Sequence, residues 1–228
     1  MPGVAVVTGA NRGIGREVTR QLAATGWTVI LGSRDPAAGG QAAATVPGEV
    51  LPRRLDVTDE ASLAAVAAEL SERHGRLDAL VNNAAIHYDT WQRATAADLD
   101  VVGEALATNL VGAWRAVEAF LPLLRASGHG RIVNVSSGAG SLAGMDGSVP
   151  AYSVSKAGLN ALTRMLAAEL AWDGILVNSV CPGWVATDMG GPGGRPVAEG
   201  AAGIVWAVEL PDGGPTGGFF RDREAVEW

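Results

Sequence analysis

Val4-Ala5-Val6-Val7-Thr8-Gly9-Ala10-Asn11-Arg12-Gly13-Ile14-Gly15 joins an unbroken apolar run to a stretch with three glycines. Four apolar residues in a row, with no polar residue alternating between them, predict a strand buried on both faces, as in a parallel sheet covered by helices. The glycines permit a tight turn and bring backbone N–H groups close to a ligand at the positive start of the helix read over residues 13–25. A pyrophosphate suits that position. The spacing Gly-x3-Gly-x-Gly is not the commoner G-x-G-x-x-G, so the strand before and the helix after carry the reading, against the alternative of a turn with incidental glycines.

The same alternation runs through the rest of the chain. Short Val/Ile/Leu-rich runs at residues 4–8, 28–31, 50–55, 79–81, 131–135, 175–180 and 218–220 read as strands. Helical patterns cover 13–25, 36–45, 59–74, 97–127, 151–172 and 197–208. This predicts an α/β fold: a single doubly wound Rossmann-type domain over 1–228, with a parallel sheet of about seven strands flanked by helices. The Gly/Pro-rich pieces 190–196 and 211–218 read as loops within it, the first as a mobile cover at a strand end.

Composition narrows the function. With 48% hydrophobic and 18% charged residues the chain suits a well-buried core rather than disorder. A net charge of −7 and the lack of any basic run argue against a nucleic-acid partner. No apolar stretch approaches the ~20 residues of a membrane span. A strand pattern directly at the start leaves no room for a signal peptide, and Cys181 is the lone cysteine, so a reducing, cytoplasmic setting is expected.

The second strand distinguishes between cofactors. An acidic residue about 20 positions after the glycines would accept from a ribose 2′-hydroxyl, whereas arginine suits a 2′-phosphate. Here the strand ends in Ser33-Arg34-Asp35. Small Ser33 leaves space, Arg34 offers a bidentate guanidinium, and Arg12 can flank the same phosphate. The reading is NADP(H) over NAD(H), with Asp35 on the ribose the outcome if the register slips by one.

Of the basic residues only Lys156 is a lysine, and it follows Tyr152 by four. On a helix such positions share a face, and Ser148-Val149-Pro150 reads as its cap region and early-turn proline. A neighbouring ammonium favours phenolate, so it is expected to lower Tyr152 from the usual value of about 10. Bringing it to about 7 would take about 4 kcal/mol. A surface tyrosine beside a surface lysine is the alternative.

Further motifs follow in order: Asn82-Asn83-Ala84-Ala85 after the fourth strand, Asn109-Leu110-Val111-Gly112 in the long helix, Asn134-Val135-Ser136-Ser137 at the end of the fifth strand, and Cys181-Pro182-Gly183-Trp184-Val185-Ala186-Thr187 after the sixth. With the glycine loop and Tyr-x-x-x-Lys these resemble the short-chain dehydrogenase/reductase family along nearly the whole chain. Gly217-Gly218-Phe219-Phe220-Arg221-Asp222 looks like its carbonyl-reductase-like branch. The resemblance implies that Tyr152 is the acid/base, that Lys156 holds the nicotinamide ribose and lowers the tyrosine, and that Ser137 binds the substrate oxygen. It also implies that Asn109 kinks its helix and supports a water chain to Lys156. Gly9, Asn11, Arg12, Gly13, Ile14, Gly15, Arg34, Asp56, Val57, Asn83, Ala84, Pro182, Gly183, Val185 and Thr187 would line the dinucleotide.

Three departures bear on the substrate side. Ser137 and Tyr152 stand 15 apart, a longer loop than is usual in the family, which leaves Ser136 as a substitute. Ala85 stands where the family usually has glycine. The stretch after Thr187 is short and glycine-rich, so an open or poorly ordered entrance is expected. Trp184 and His87 are candidates for the substrate pocket. The seven tryptophans read mostly as core or interface anchors, and Cys181 as a small packed hydrophobe. No metal-ligand cluster is visible.

These readings converge on an NADPH-dependent reductase of a small ketone or aldehyde, in a chain that can form homo-oligomers. One rival is a 3-oxoacyl-thioester reductase of fatty-acid or polyketide metabolism, with Arg115, Arg125 and Arg131 as a docking patch for an acidic carrier. The other is a non-catalytic NADP(H)-sensing protein.

Overall fold

A computed structural model describes residues 3–228. Eight strands form one sheet in the order β3-β2-β1-β4-β5-β6-β7-β8. They are β1 Val4–Val7, β2 Thr28–Ser33, β3 Val50–Arg54, β4 Ala79–Asn82, β5 Arg131–Val135, β6 Leu176–Val180, β7 Phe219–Arg221 and β8 Glu224–Ala225. All neighbouring pairs are parallel except β7–β8, a short antiparallel hairpin that the sequence reading of about seven strands did not include.

The strands lack polar alternation because both faces are covered. Val6, Leu80 and Ile132 pack with Leu63, Phe120 and Leu159 of α3 (Glu60–His74), α5 (Ala113–Ser127) and α6 (Pro150–Glu169). Val7, Leu31 and Val81 pack with Leu22, Ala42 and Ile204 of α1 (Gly13–Ala24), α2 (Pro36–Ala43) and α7 (Val197–Val208). The strand order reverses between β1 and β4, and an open α/β sheet binds ligands at the carboxyl edge of such a switch point.

The helix expected over residues 97–127 is three pieces: α4 (Leu99–Leu106), a π-helical turn (Ala107–Gly112) and α5. Of the tryptophans only Trp27 and Trp206 pack against the core, and both are half-buried. None is buried, and Trp91, Trp114, Trp172 and Trp184 are exposed. Trp228 stacks on Phe219, and its carbonyl accepts from Ala143 N at 3.0 Å, while Ser141 Oγ donates to the Glu227 carbonyl at 2.9 Å. The C-terminal residues thus hold the loop that follows Ser137.

Of the three arginines expected to form a docking patch, Arg131 is withdrawn from the surface, while Arg115 and Arg125 remain there in ion pairs. Arg131 is buried, donating to the Leu210 carbonyl and to Asp212, while Arg115 pairs with Glu60 and Arg125 with Asp173. Each guanidinium is engaged within the fold. Among the described residues no helix is long and apolar enough to cross a membrane, and no cluster of His, Cys, Asp or Glu suits a metal ion.

Candidate active site

The carboxyl edge of the sheet opens into a cleft with two lobes that meet at Ser136 and Tyr152. The first, about 300 Å³, runs along β1, β2 and β3. It is lined from the glycine loop by Gly9, Asn11, Arg12, Gly13 and Ile14, from the strand ends by Arg34, Asp56, Val57, Asn83 and Ala84, and beyond them by Tyr152, Lys156, Pro182 and Thr187. Gly15 lies behind the wall: a Cβ there would stand 2.4 Å from Asn83 Nδ2. Gly183 and Val185 line the second lobe instead of the first.

Local chemistry shapes the first lobe. Gly9 has a φ of +61°, and a Cβ on it would lie 2.9 Å from Ala84 Cα, so only glycine lets β1 turn beside β4. Asn83 Nδ2 braces that turn, donating to the Thr8 and Gly9 carbonyls at 2.9 and 3.1 Å. Helix α1 starts at Gly13 after an extended Arg12, and no side chain caps it. Its first N–H groups therefore face the lobe without an internal acceptor, a setting suited to an anion. Asp35 does not line the lobe. Its carboxylate caps α2, accepting from Ala37 N and Ala38 N at 2.9 and 3.2 Å, which leaves Arg34 on the rim. Arg12 itself pairs with Asp188 at 2.7 Å across the lobe's mouth.

The second lobe, about 280 Å³, holds Ser137, Tyr152, Cys181, Trp184 and Met189. Tyr88, which the sequence reading passed over, lies edge-on to Tyr152 with ring centroids 5.2 Å apart. His87 lines neither lobe; its Nε2 sits 2.6 Å from Glu104 Oε2. Adjacent residues point to opposite sides here, and the aromatic neighbour is the one that reaches the site. The loop after Thr187 is compact rather than poorly ordered. Ala186 N bonds the Arg195 carbonyl, Gly191 N bonds the Thr187 carbonyl, and Trp184 Nε1 donates to the Gly190 carbonyl at 2.7 Å.

Tyr152 and Lys156 share a face of α6, with Nζ 5.5 Å from the phenol ring centroid. Lys156 is 2% exposed, and Nζ donates to the Val135 carbonyl at 2.7 Å. Burial outweighs the pairing expected from sequence. It drives the Tyr152 phenol up rather than down, with Cys181 adding to the rise and Ser137 opposing it, and it pulls Lys156 down to about 8. Each group is held towards its neutral form.

Two further residues set this geometry. Asn109, in the π-helical turn, spends its side chain on the Ile86 backbone and on Ser155 Oγ, with no direct bond to Lys156. The cap of α6 is not Ser148, whose hydroxyl donates to Asp146. It is Asp89, fully buried, which accepts from Ala151 N and Tyr152 N at 3.0 and 3.1 Å and from Gln92 Nε2 at 3.1 Å. No local motif announced Asp89, because it acts across 62 residues of sequence.

The residues present fit a dinucleotide. The uncapped α1 start suits a pyrophosphate and Arg34 a 2′-phosphate. Ser136 Oγ, buried at the junction of the lobes, has no hydrogen-bond partner among the described residues and suits a polar group of a ligand.

Residues 3–195 match the short chain dehydrogenase family. The chain is 35% identical over 293 aligned positions to (+)-neomenthol dehydrogenase of Arabidopsis thaliana, covering 100% of this chain and 98% of the relative. It is 35% identical over 279 positions to carbonyl reductase [NADPH] 1 of Sus scrofa, covering 99% and 94%. An NADPH-bound carbonyl reductase from chicken fatty liver superposes with a TM-score of 0.90 at 31% identity, covering 100% of this chain and 99% of that one. The chain belongs to the short-chain dehydrogenase/reductase family, NAD(P)-dependent oxidoreductases that act on CH–OH and carbonyl groups.

Proposed function

We propose that this oxidoreductase is an NADPH-dependent carbonyl reductase that turns a small ketone or aldehyde into an alcohol. The observation that carries the proposal is the meeting of Ser137, Tyr152 and Lys156 where the two lobes join. The names of the porcine and chicken relatives support it, as does the employment of Asp35 as a helix cap beside a free Arg34.

When bound, the dinucleotide supplies a hydride. The chain's residues handle the oxygen. Ser137 and Tyr152 hydroxyls donate to the carbonyl oxygen and polarise it, and Tyr152 then gives up its proton as the oxygen becomes an alcohol. Burial keeps the phenol protonated throughout the neutral range, and release of that proton depends on a nearby positive charge that favours the phenolate. The phenolate left behind is stabilised by the Lys156 ammonium, which is positive below about pH 8. Reductive kcat/KM, which reports groups of the free protein, should therefore fall as pH rises through about 8.

The test is turnover of NADPH with a panel of aryl and alkyl carbonyls, alongside nicotinamide fluorescence titrations. Tyr152→Phe should cost at least about a hundredfold in kcat and leave NADPH affinity intact. NADPH should bind at least about tenfold tighter than NADH, roughly 1.4 kcal/mol. A Tyr152→Phe variant that keeps most of its rate would overturn the mechanism. Tight NADPH binding with no turnover on any carbonyl would return the protein to a sensing role.

A further inference from the structure

The second lobe has one permanently charged wall. Arg221 is the sole ionic side chain among its described lining residues, whose remainder includes Tyr88, Trp184 and Met189. Its position is fixed by backbone on both sides. Strand β7 pairs with β6, with Cys181 N donating to the Phe220 carbonyl at 2.8 Å. The two-residue turn Asp222-Arg223, with φ of 54° and 72°, folds β8 back on β7. Arg221 therefore stands at the sheet's carboxyl edge beside Cys181-Pro182-Gly183.

Gly183 makes room for it. A Cβ at this residue, whose φ is +78°, would lie 3.3 Å from Arg221 Nη2 and 3.4 Å from Arg195 Nη1, so two guanidiniums close over one bare backbone position. Their partners differ. Arg195 is paired with two carboxylates, Asp222 at 2.6 Å and Glu199 at 3.4 Å. Arg221 forms no hydrogen bond with the described residues. Its nearest carboxylate is Asp222, 3.9 Å from Nε and already bonded to Arg195, while Glu224 lies opposite it in the β7–β8 register. The planar fork is left to face the lobe, and such a fork matches a carboxylate.

We propose that Arg221 is an anion subsite of the substrate lobe, selecting carbonyl compounds that carry a carboxylate on a flat apolar body. The apolar body rests against Tyr88 and Trp184. The inference rests on the reductase reading for its substrate class, while the subsite itself can be measured by binding alone.

Benzoylformate, 3-benzoylpropionate and 4-benzoylbutyrate, each beside its methyl ester, test it with NADPH. At least one acid should have a KM well below that of its ester. Arg221→Met should raise that KM about tenfold or more, leave the ester's KM and both kcat values within about twofold, and leave NADPH affinity unchanged. Arg221→Lys should recover part of the loss, because a point charge replaces a fork. Equal effects on acid and ester, or none, would overturn the subsite. If neither acid nor ester is reduced, the reductase reading falls, and the same acids are titrated onto NADP⁺-loaded parent and Arg221→Met proteins. Tighter binding to the parent then supports the subsite, and equal binding overturns it.

Discussion

Two helices begin at the cleft, and they treat their first N–H groups in opposite ways. Helix α1 begins after Arg12 with no side-chain acceptor, so its positive end faces the first lobe. Helix α6 begins after Val149, which also contributes no cap, yet buried Asp89 fills the same need from 62 residues away. Both starts prefer a negative group for the same electrostatic reason. At α6 the protein supplies the anion itself, which fixes Tyr152 in place. At α1 no side chain supplies it, and in the proposed reading the cofactor would.

Emptying the filled site should have the largest effect. Asp89→Ala removes a cap and orphans two buried N–H groups, and should destabilise the protein by about 3 kcal/mol by denaturant titration. Asp89→Asn, which keeps one acceptor oxygen, should lose less. If Asp89→Ala melts like the parent, the two helix starts do not differ as described.

Filling the empty site is the converse. Arg12→Asp places a carboxylate at the cap of α1 and should weaken NADPH binding about a hundredfold, near 2.7 kcal/mol, while raising the stability of the cofactor-free protein by about 1 kcal/mol. NADH serves as the control, since it carries no 2′-phosphate. Equal losses for both cofactors place the effect at the helix start. A loss confined to NADPH would show that Arg12 serves the 2′-phosphate and would break the comparison.

The smallest effect concerns a buried charge with fewer partners than Asp89. Lys156 has one acceptor, and its value of about 8 in the folded chain lies below the ordinary 10.5. Between these values the unfolded chain binds a proton that the folded chain does not, so stability rises with pH across that window and the full penalty applies below pH 8. Relief of about 3 kcal/mol, offset by about 1 kcal/mol for the stranded Val135 carbonyl, leaves Lys156→Met about 2 kcal/mol more stable than the parent at pH 7. That advantage should shrink from pH 8 to 10.5, and the variant should be inactive. A variant less stable than the parent at pH 7 would mean that burial does not burden Lys156.

What could be read from the residues was whatever depends on near neighbours in sequence. The apolar runs of β1, β4, β5 and β6 announced a sheet covered on both faces, and Tyr152 with Lys156 announced a shared helix face. Asp89 escaped because a cap supplied from a distant loop has no spacing rule. Periodicity missed the π-helical turn at Ala107–Gly112, because one extra residue per turn leaves an apolar pattern that still reads as a single helix, and only the family resemblance marked a kink at Asn109. The phenol's upward shift escaped too: sequence shows that an ammonium is near, but the degree of burial, which decides the sign, belongs to the packed state.

The C-terminal latch has a consequence for the order in which the cleft is made. The glycine loop, Arg34, Asp56 and Asn83 each follow one of the first four strands, so a growing chain carries most of the first lobe's wall well before the rest has left the ribosome. The second lobe needs Arg221 from β7, and the loop after Ser137, held at Gly138 and Gly140 by Cys181 and Asn160, gains its last ties from Glu227 and Trp228. During synthesis the lobe proposed to choose the substrate is therefore finished after the one proposed to hold the cofactor.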